Sequence, residues 1–159
     1  MDATRKCRAC SDFKSWAGLQ ETQATNQKHT TKPDPPVAQD NKSTEKKECP
    51  LFLGELGRST WGFLHTMAAY YPDNPSPSQK EDIHKFMHLF SKFFPCDDCA
   101  THLRSWMKDN PPQAENQDRF SKWMCYAHNE VNGRLGKKLF DCSKVNERWR
   151  DGWKDGSCD

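Results

Sequence analysis

The chain has 159 residues with 24 Lys/Arg against 22 Asp/Glu, a formal net charge of +2, and room for one domain around one core. Its mean hydropathy is −1.05, and its longest uninterrupted apolar run, residues 67–71, falls far short of a membrane span. Residues 1–48 hold nine Lys/Arg against seven Asp/Glu and residues 49–159 hold fifteen of each, so no basic stripe points to nucleic acid.

The first 48 residues read as an arm. They begin with Cys7-Arg8-Ala9-Cys10 in polar surroundings and contain no apolar signal-peptide segment. Residues 17–48 are rich in Gln, Thr, Asn, Lys and Pro and show no helical or strand period, which predicts a flexible linker. The 39 residues from Cys10 to Cys49 give such a linker a reach of about 35 Å. The compact domain is then expected over 49–159.

That domain reads as consecutive helices. Residues 55–71 place Trp61, Leu64, His65, Ala68 and Tyr71 at three/four spacing, and Pro72 ends the run. Residues 78–94 repeat the pattern with Ile83, Phe86, Leu89, Phe90 and Phe93, until Pro95 breaks it. A shorter helix is predicted over 97–109 with Leu103, Trp106 and Met107. A longer one spans about 115–135, with Phe120, Trp123, Met124, Ala127, Val131 and Leu135 on one side and Gly136 as its C-terminal cap. A short fifth helix covers about 143–150. The expected class is all-α, a four-helix bundle plus a short fifth helix.

The eight cysteines, at 7, 10, 49, 96, 99, 125, 142 and 158, are many for a reducing compartment. Pro95 places Cys96 at a helix start, where unsatisfied amides favour a thiolate, although Asp97 and Asp98 oppose it. Cys96-Asp97-Asp98-Cys99 can be a redox dithiol, a structural bond, or with Cys7 and Cys10 a four-thiolate zinc site. A two-residue loop constrains the unfolded chain little, and a metal would immobilise an arm whose composition suits movement, so redox chemistry without a metal is favoured. Cys125 and Cys142, 17 residues apart, suit a structural bond worth about 3 kcal/mol.

Two helical sets remain. His128 and Asn132 lie one turn apart with Asn129 beside them, and mid-helix Asn is locally unfavourable. Arg58, Trp61, His65 and Tyr70 fall near a three/four repeat on the first helix. Each set can simply pack. Together they can hold a planar cofactor.

Leu56-Gly57-Arg58-Ser59-Thr60-Trp61, His65-Thr66, Ala69-Tyr70-Tyr71-Pro72, Phe94-Pro95-Cys96-x-x-Cys99, His128-Asn129-x-Val131-Asn132 and Asp141-Cys142-Ser143 occur in that order. In this the chain resembles the FAD-linked sulfhydryl oxidases. Residues 149–158 and the N-terminal Cys-Arg-Ala-Cys are similar to the mitochondrial intermembrane-space branch. The resemblance implies FAD held in the helical bundle, with Cys99 against the flavin and Cys96 exchanging with the incoming dithiol. It places Arg58, Trp61, His65, Tyr70, Cys125, His128, Asn129, Val131, Asn132, Leu135, Lys137 and Trp149 at cofactor-binding positions. It also implies a structural Cys125–Cys142 bond, and Cys49 and Cys158 as the link of a disulfide-bonded homodimer.

The function so implied is oxidation of thiols to disulfides in a protein substrate or carrier oxidoreductase. Electrons would run from Cys7–Cys10 to Cys96–Cys99, to FAD, and to O2 or cytochrome c, in the oxidative folding pathway of the intermembrane space. The alternative is a non-catalytic, disulfide-stapled helical interaction or growth-factor-like protein.

Overall fold

The computed structural model describes residues 49–158; the expected arm with Cys7 and Cys10 lies outside them. Four α-helices are present: α1 (Leu53–Ala69), α2 (Pro77–Phe93), α3 (Asp97–Asp109) and α4 (Gln117–Arg134). A fifth helical segment starts as a 3-10 turn at Cys142–Lys144 and ends as a π turn at Glu147–Asp151. Among the described residues there is no strand, and no helix is long and apolar enough to cross a membrane. The all-α architecture expected from the sequence is the one observed.

Local chemistry sets the helix ends. The Glu55 carboxylate accepts the Phe52 N–H at 3.2 Å, starting α1 two residues before the expected 55. Pro72 restricts the backbone ahead of it, and α1 stops at Ala69. Helix α2 opens with Pro77 after a reciprocal cap: Ser76 Oγ accepts the Gln79 N–H at 3.2 Å and Gln79 Oε1 accepts the Ser76 N–H at 2.8 Å. Asn116 Oδ1 accepts the Arg119 N–H at 2.9 Å at the start of α4. At its end Gly136, with φ of 64°, lets the Lys137 N–H reach the Asn132 carbonyl at 2.8 Å and its own N–H reach that of Gly133 at 3.1 Å. That is a Schellman turn, and Gly takes the left-handed position without a Cβ penalty.

The main core joins Leu64 and Ala68 of α1, Met87 of α2 and Phe120, Trp123 and Met124 of α4, with Tyr71 and Ala114 from the loops. Burying each large apolar side chain contributes about 1.5–3 kcal/mol. Tyr71 OH donates to the Ala114 carbonyl at 3.2 Å and Trp123 Nε1–H to that of Asn110 at 3.0 Å, so the polar tips are satisfied. A second cluster of Cys125, Cys142 and Val145, flanked by Phe140 and Trp149, seats the fifth helical segment on α4. The Cys125–Cys142 disulfide runs through it, with a Cα–Cα distance of 5.7 Å.

Candidate functional site

A cavity of about 860 Å3 opens among α1, the end of α2, the start of α3, α4 and the fifth helical segment. That is toward the upper end of the roughly 300–1,000 Å3 range of ligand pockets. Of the twelve positions at which a cofactor is expected, its wall carries Arg58, Trp61, His65, Cys125, His128, Asn129, Val131, Asn132, Leu135, Lys137 and Trp149. Tyr70 is not on that wall; it closes α1, its N–H donating to the Thr66 carbonyl at 3.1 Å.

The wall is built of flat rings. Trp61 and His128 stack with centroids 4.1 Å apart and planes 3° from parallel, and His65 and Trp149 stack at 4.6 Å and 1°. His65 Nε2 and His128 Nδ1 approach to 2.9 Å, one ring donating to the other. Burial, then the neighbouring His128 and Arg148, lower the His65 pKa to about 3; burial and then Lys137 lower that of His128 to about 4. Both imidazoles are therefore neutral near pH 7. Arg148 lies 4.4 Å over the Trp149 ring.

Asn129 holds the loop that returns to the disulfide. Its Nδ2 donates to the Phe140 carbonyl at 2.8 Å, and its Oδ1 accepts the Phe140 N–H at 2.9 Å. A mid-helix Asn, unfavourable by propensity, is thus explained by a two-point clasp on residues 139–142.

Cys96 and Cys99 are joined as a disulfide, Cα–Cα 5.3 Å. Cys96 occupies the N-cap of α3, and the Cys99 N–H points at its sulfur at 3.4 Å. Cys99 lies on the cavity wall and Cys96 does not. The pair therefore has one member on the cavity wall and one outside it, both residues half-buried. Cys49 and Cys158 are both exposed. Among the described residues no group of three or more His, Cys, Asp or Glu is placed to hold a metal; a zinc site that included Cys7 and Cys10 would involve residues outside them.

Several wall residues were not anticipated from the sequence. Gly54, Gly57 and Gly62 all face the cavity, and a Cβ built on any of them meets nothing within 4 Å. Three glycines in one 17-residue helix cost about 1 kcal/mol each relative to Ala, a penalty that was legible and points to a ligand approaching the backbone closely. The wall also carries Arg134, Lys138 and Arg148, making with Arg58 and Lys137 five cations against one carboxylate, Asp98.

The profile of the Erv1/Alr family matches residues 58–150. The chain belongs to the Erv1/Alr family. It is 37% identical over 147 residues to the FAD-linked sulfhydryl oxidase ERV1 of Arabidopsis thaliana, covering 85% of this chain and 77% of that protein. Against the mitochondrial FAD-linked sulfhydryl oxidase ERV1 of Saccharomyces cerevisiae identity is 42% over 110 residues, covering 69% and 58%. The mitochondrial erv1 of Schizosaccharomyces pombe is 52% identical over 92 residues, covering 57% and 50%. The chain thus spans from 50% to 77% of the length of these three relatives. The crystal structure of the yeast Erv1 core superposes with a TM-score of 0.67 at 39% identity, covering 74% of this chain and 99% of that one. The FAD-binding domain of the same yeast protein superposes at 0.64 with 41% identity, covering 65% and 99%.

The wall suits such a cofactor. Parallel aromatic and imidazole rings offer faces to a flat heterocycle, the cations complement phosphates, and the bare glycines leave room for a ligand against the helix backbone.

Proposed function

We propose that the protein is an FAD-linked sulfhydryl oxidase that makes disulfides in thiol-bearing proteins. The observation that carries this reading is the placement of Cys99 on the wall of a flat-ringed, cationic cavity while its disulfide partner Cys96 lies outside that wall. Family membership supports it, as do the FAD-linked names of the relatives.

In the proposed cycle an incoming thiolate attacks Cys96 and breaks the Cys96–Cys99 bond, and Cys99 leaves as thiolate. The second incoming thiol attacks the mixed disulfide and releases Cys96. The client has then lost two electrons and two protons as it becomes a disulfide, and Cys96 and Cys99 have become a dithiol. The dipole of α3, whose first turn holds Cys99, favours the thiolate form, and the open amide of Cys99 points at the Cys96 sulfur. Trp61, His65, His128 and Trp149 would hold the isoalloxazine ring, and Arg58, Lys137 and Arg148 its phosphates. FAD, when bound, supplies the two-electron acceptor that regenerates the Cys96–Cys99 disulfide and delivers electrons to O2 or cytochrome c. Neither ring of the hydrogen-bonded His65–His128 pair takes up a proton near pH 7.

The same reading assigns Cys7–Cys10 as a carrier on a flexible arm over 1–48, feeding a domain over 49–159, and Cys49 with Cys158 as the link of a homodimer. The mitochondrial names of the two yeast relatives support a mitochondrial setting. Within it we place the protein in the intermembrane space, where it would serve oxidative folding of imported chains. The test is oxygen consumption with dithiothreitol: turnover with production of hydrogen peroxide is expected, and a flavin-containing protein without turnover would contradict the reading.

A further inference from the structure

Asp98 sits between the two redox cysteines in sequence and is the one carboxylate on the cavity wall. Its two oxygens point to different helices. Oδ1 lies 3.2 Å from His102 Nε2, one turn along α3, and Oδ2 lies 3.7 Å from Arg134 Nη2 in the last turn of α4. Asp97, its neighbour at the same helix start, has no partner among the described residues.

The Asp98–Arg134 contact joins the two elements whose relative placement matters most to the proposed reaction. The start of α3 carries the sulfur that faces the cavity. The last turn of α4 leads into Leu135 and Lys137 on the same wall. Arg134 also lines a smaller cavity of about 190 Å3, together with His102, Asp109 and Glu130. It thus lines both cavities.

Both charges also bear on sulfur chemistry. A carboxylate beside Cys99 disfavours its thiolate, and a guanidinium on that carboxylate offsets the effect. We propose that Asp98 is a positioning residue: braced by Arg134 and His102, it fixes the redox turn to the end of α4 and sets how readily Cys99 ionises once the pair is reduced. This rests on the reading of Cys96–Cys99 as the redox pair. The other charges facing this turn are Asp97 on α3 and the wall cations Arg58 on α1, Lys137 and Lys138 after α4, and Arg148 on the fifth segment.

The test is the pH dependence of Cys99 alkylation by iodoacetamide in the reduced, flavin-containing full chain, followed on the Cys99 peptide by mass spectrometry. One charge at van der Waals to next-shell distance near a surface shifts the thiolate fraction at pH 7 by about three- to tenfold. Asp98→Asn should raise that fraction by this factor, Arg134→Gln should lower it, and Asp98→Glu should return it toward the parent value. In the Asp98→Asn background Arg134→Gln should lose most of its effect, because Arg134 acts through the carboxylate. At about 1 M salt, where screening falls to about 3 Å, the differences should shrink.

An unchanged midpoint in Asp98→Asn overturns the proposal, whatever happens to stability. So does an Arg134→Gln effect equal in both backgrounds. If Arg134→Gln does not fold, Arg134→Met removes the same charge while keeping the aliphatic stem, and gives the same comparison in both backgrounds. Absence of dithiothreitol turnover in the parent protein would instead sink the oxidase reading and leave the alkylation profile to be judged by itself.

Discussion

His65 and His128 meet on the cavity wall, Nε2 to Nδ1 at 2.9 Å, each ring stacked on a tryptophan from another part of the chain. Two helices and the fifth segment meet in that four-ring arrangement. A wall of neutral imidazoles and indoles presents flat faces without adding charge, so the cations around it remain available for an anionic cofactor.

The histidine pair makes stability depend on acid. Both pKa values lie below the unfolded value of about 6.5, at about 3 for His65 and about 4 for His128. The unfolded chain therefore binds more protons over that window. The contribution is fully present above about pH 6.5 and is lost as pH falls toward the folded values. From pH 7 to 5 each histidine should cost about 1–2 kcal/mol of unfolding free energy. Urea midpoints of the apoprotein at the two pH values check this; a midpoint that stays flat would show that the pair is not buried neutral.

Serine at both Cys96 and Cys99 should leave the fold and the flavin content intact and abolish turnover. A two-residue loop contributes little to stability, and neither sulfur belongs to the main core. Thermal unfolding and the visible spectrum of the variant are the readouts. Loss of fold would favour the non-catalytic reading, in which that bond is structural.

Breaking Cys125–Cys142 should act in the opposite way. The bond closes a 17-residue separation and sits in a buried cluster with Val145, so the double alanine variant should lose about 3 kcal/mol. Flavin should be lost with it, because Trp149 and Phe140 both pack on that cluster and line the cavity. Denaturation with parallel flavin quantitation checks both.

Gly57→Leu separates cavity filling from destabilisation. The added side chain enters open space and relieves a helix-interior glycine, which by itself gains about 1 kcal/mol. Apoprotein stability should hold or rise while flavin content falls at least tenfold. Full flavin occupancy in this variant would mean that the face of α1 bearing Gly54 and Gly57 is not against the cofactor.

The arm's role is tested by Cys7→Ser with Cys10→Ser in the full chain. Oxidation of dithiothreitol should persist, and oxidation of a folded protein dithiol should slow by an order of magnitude or more, as exchange with a carrier requires. Equal loss on both substrates would make the arm part of the central site.

Much of the fold was legible because proline and polar punctuation bracket the apolar periods. Pro95 and Asn110-Pro111-Pro112 fixed the limits of α3, observed at Asp97–Asp109 as expected. The start of α1 was missed by two residues because a carboxylate from inside the helix, Glu55, caps it. The ring-bearing wall followed from spacing and resemblance together. The Asp98–Arg134 contact did not, since it joins residues 36 apart in sequence on different helices and no local period encodes it. Gly54, Gly57 and Gly62 also stand in the sequence, and their joint cost in one helix was the signal of the open face.

The most direct test of the central claim is the absorption spectrum of the purified full chain before and after anaerobic addition of dithiothreitol. A yellow protein whose flavin band bleaches, and returns when air is admitted, is the expected result, and serine at Cys99 should prevent the bleaching. A colourless protein, or a flavin that ignores the dithiol while Cys96–Cys99 is reduced, would contradict it.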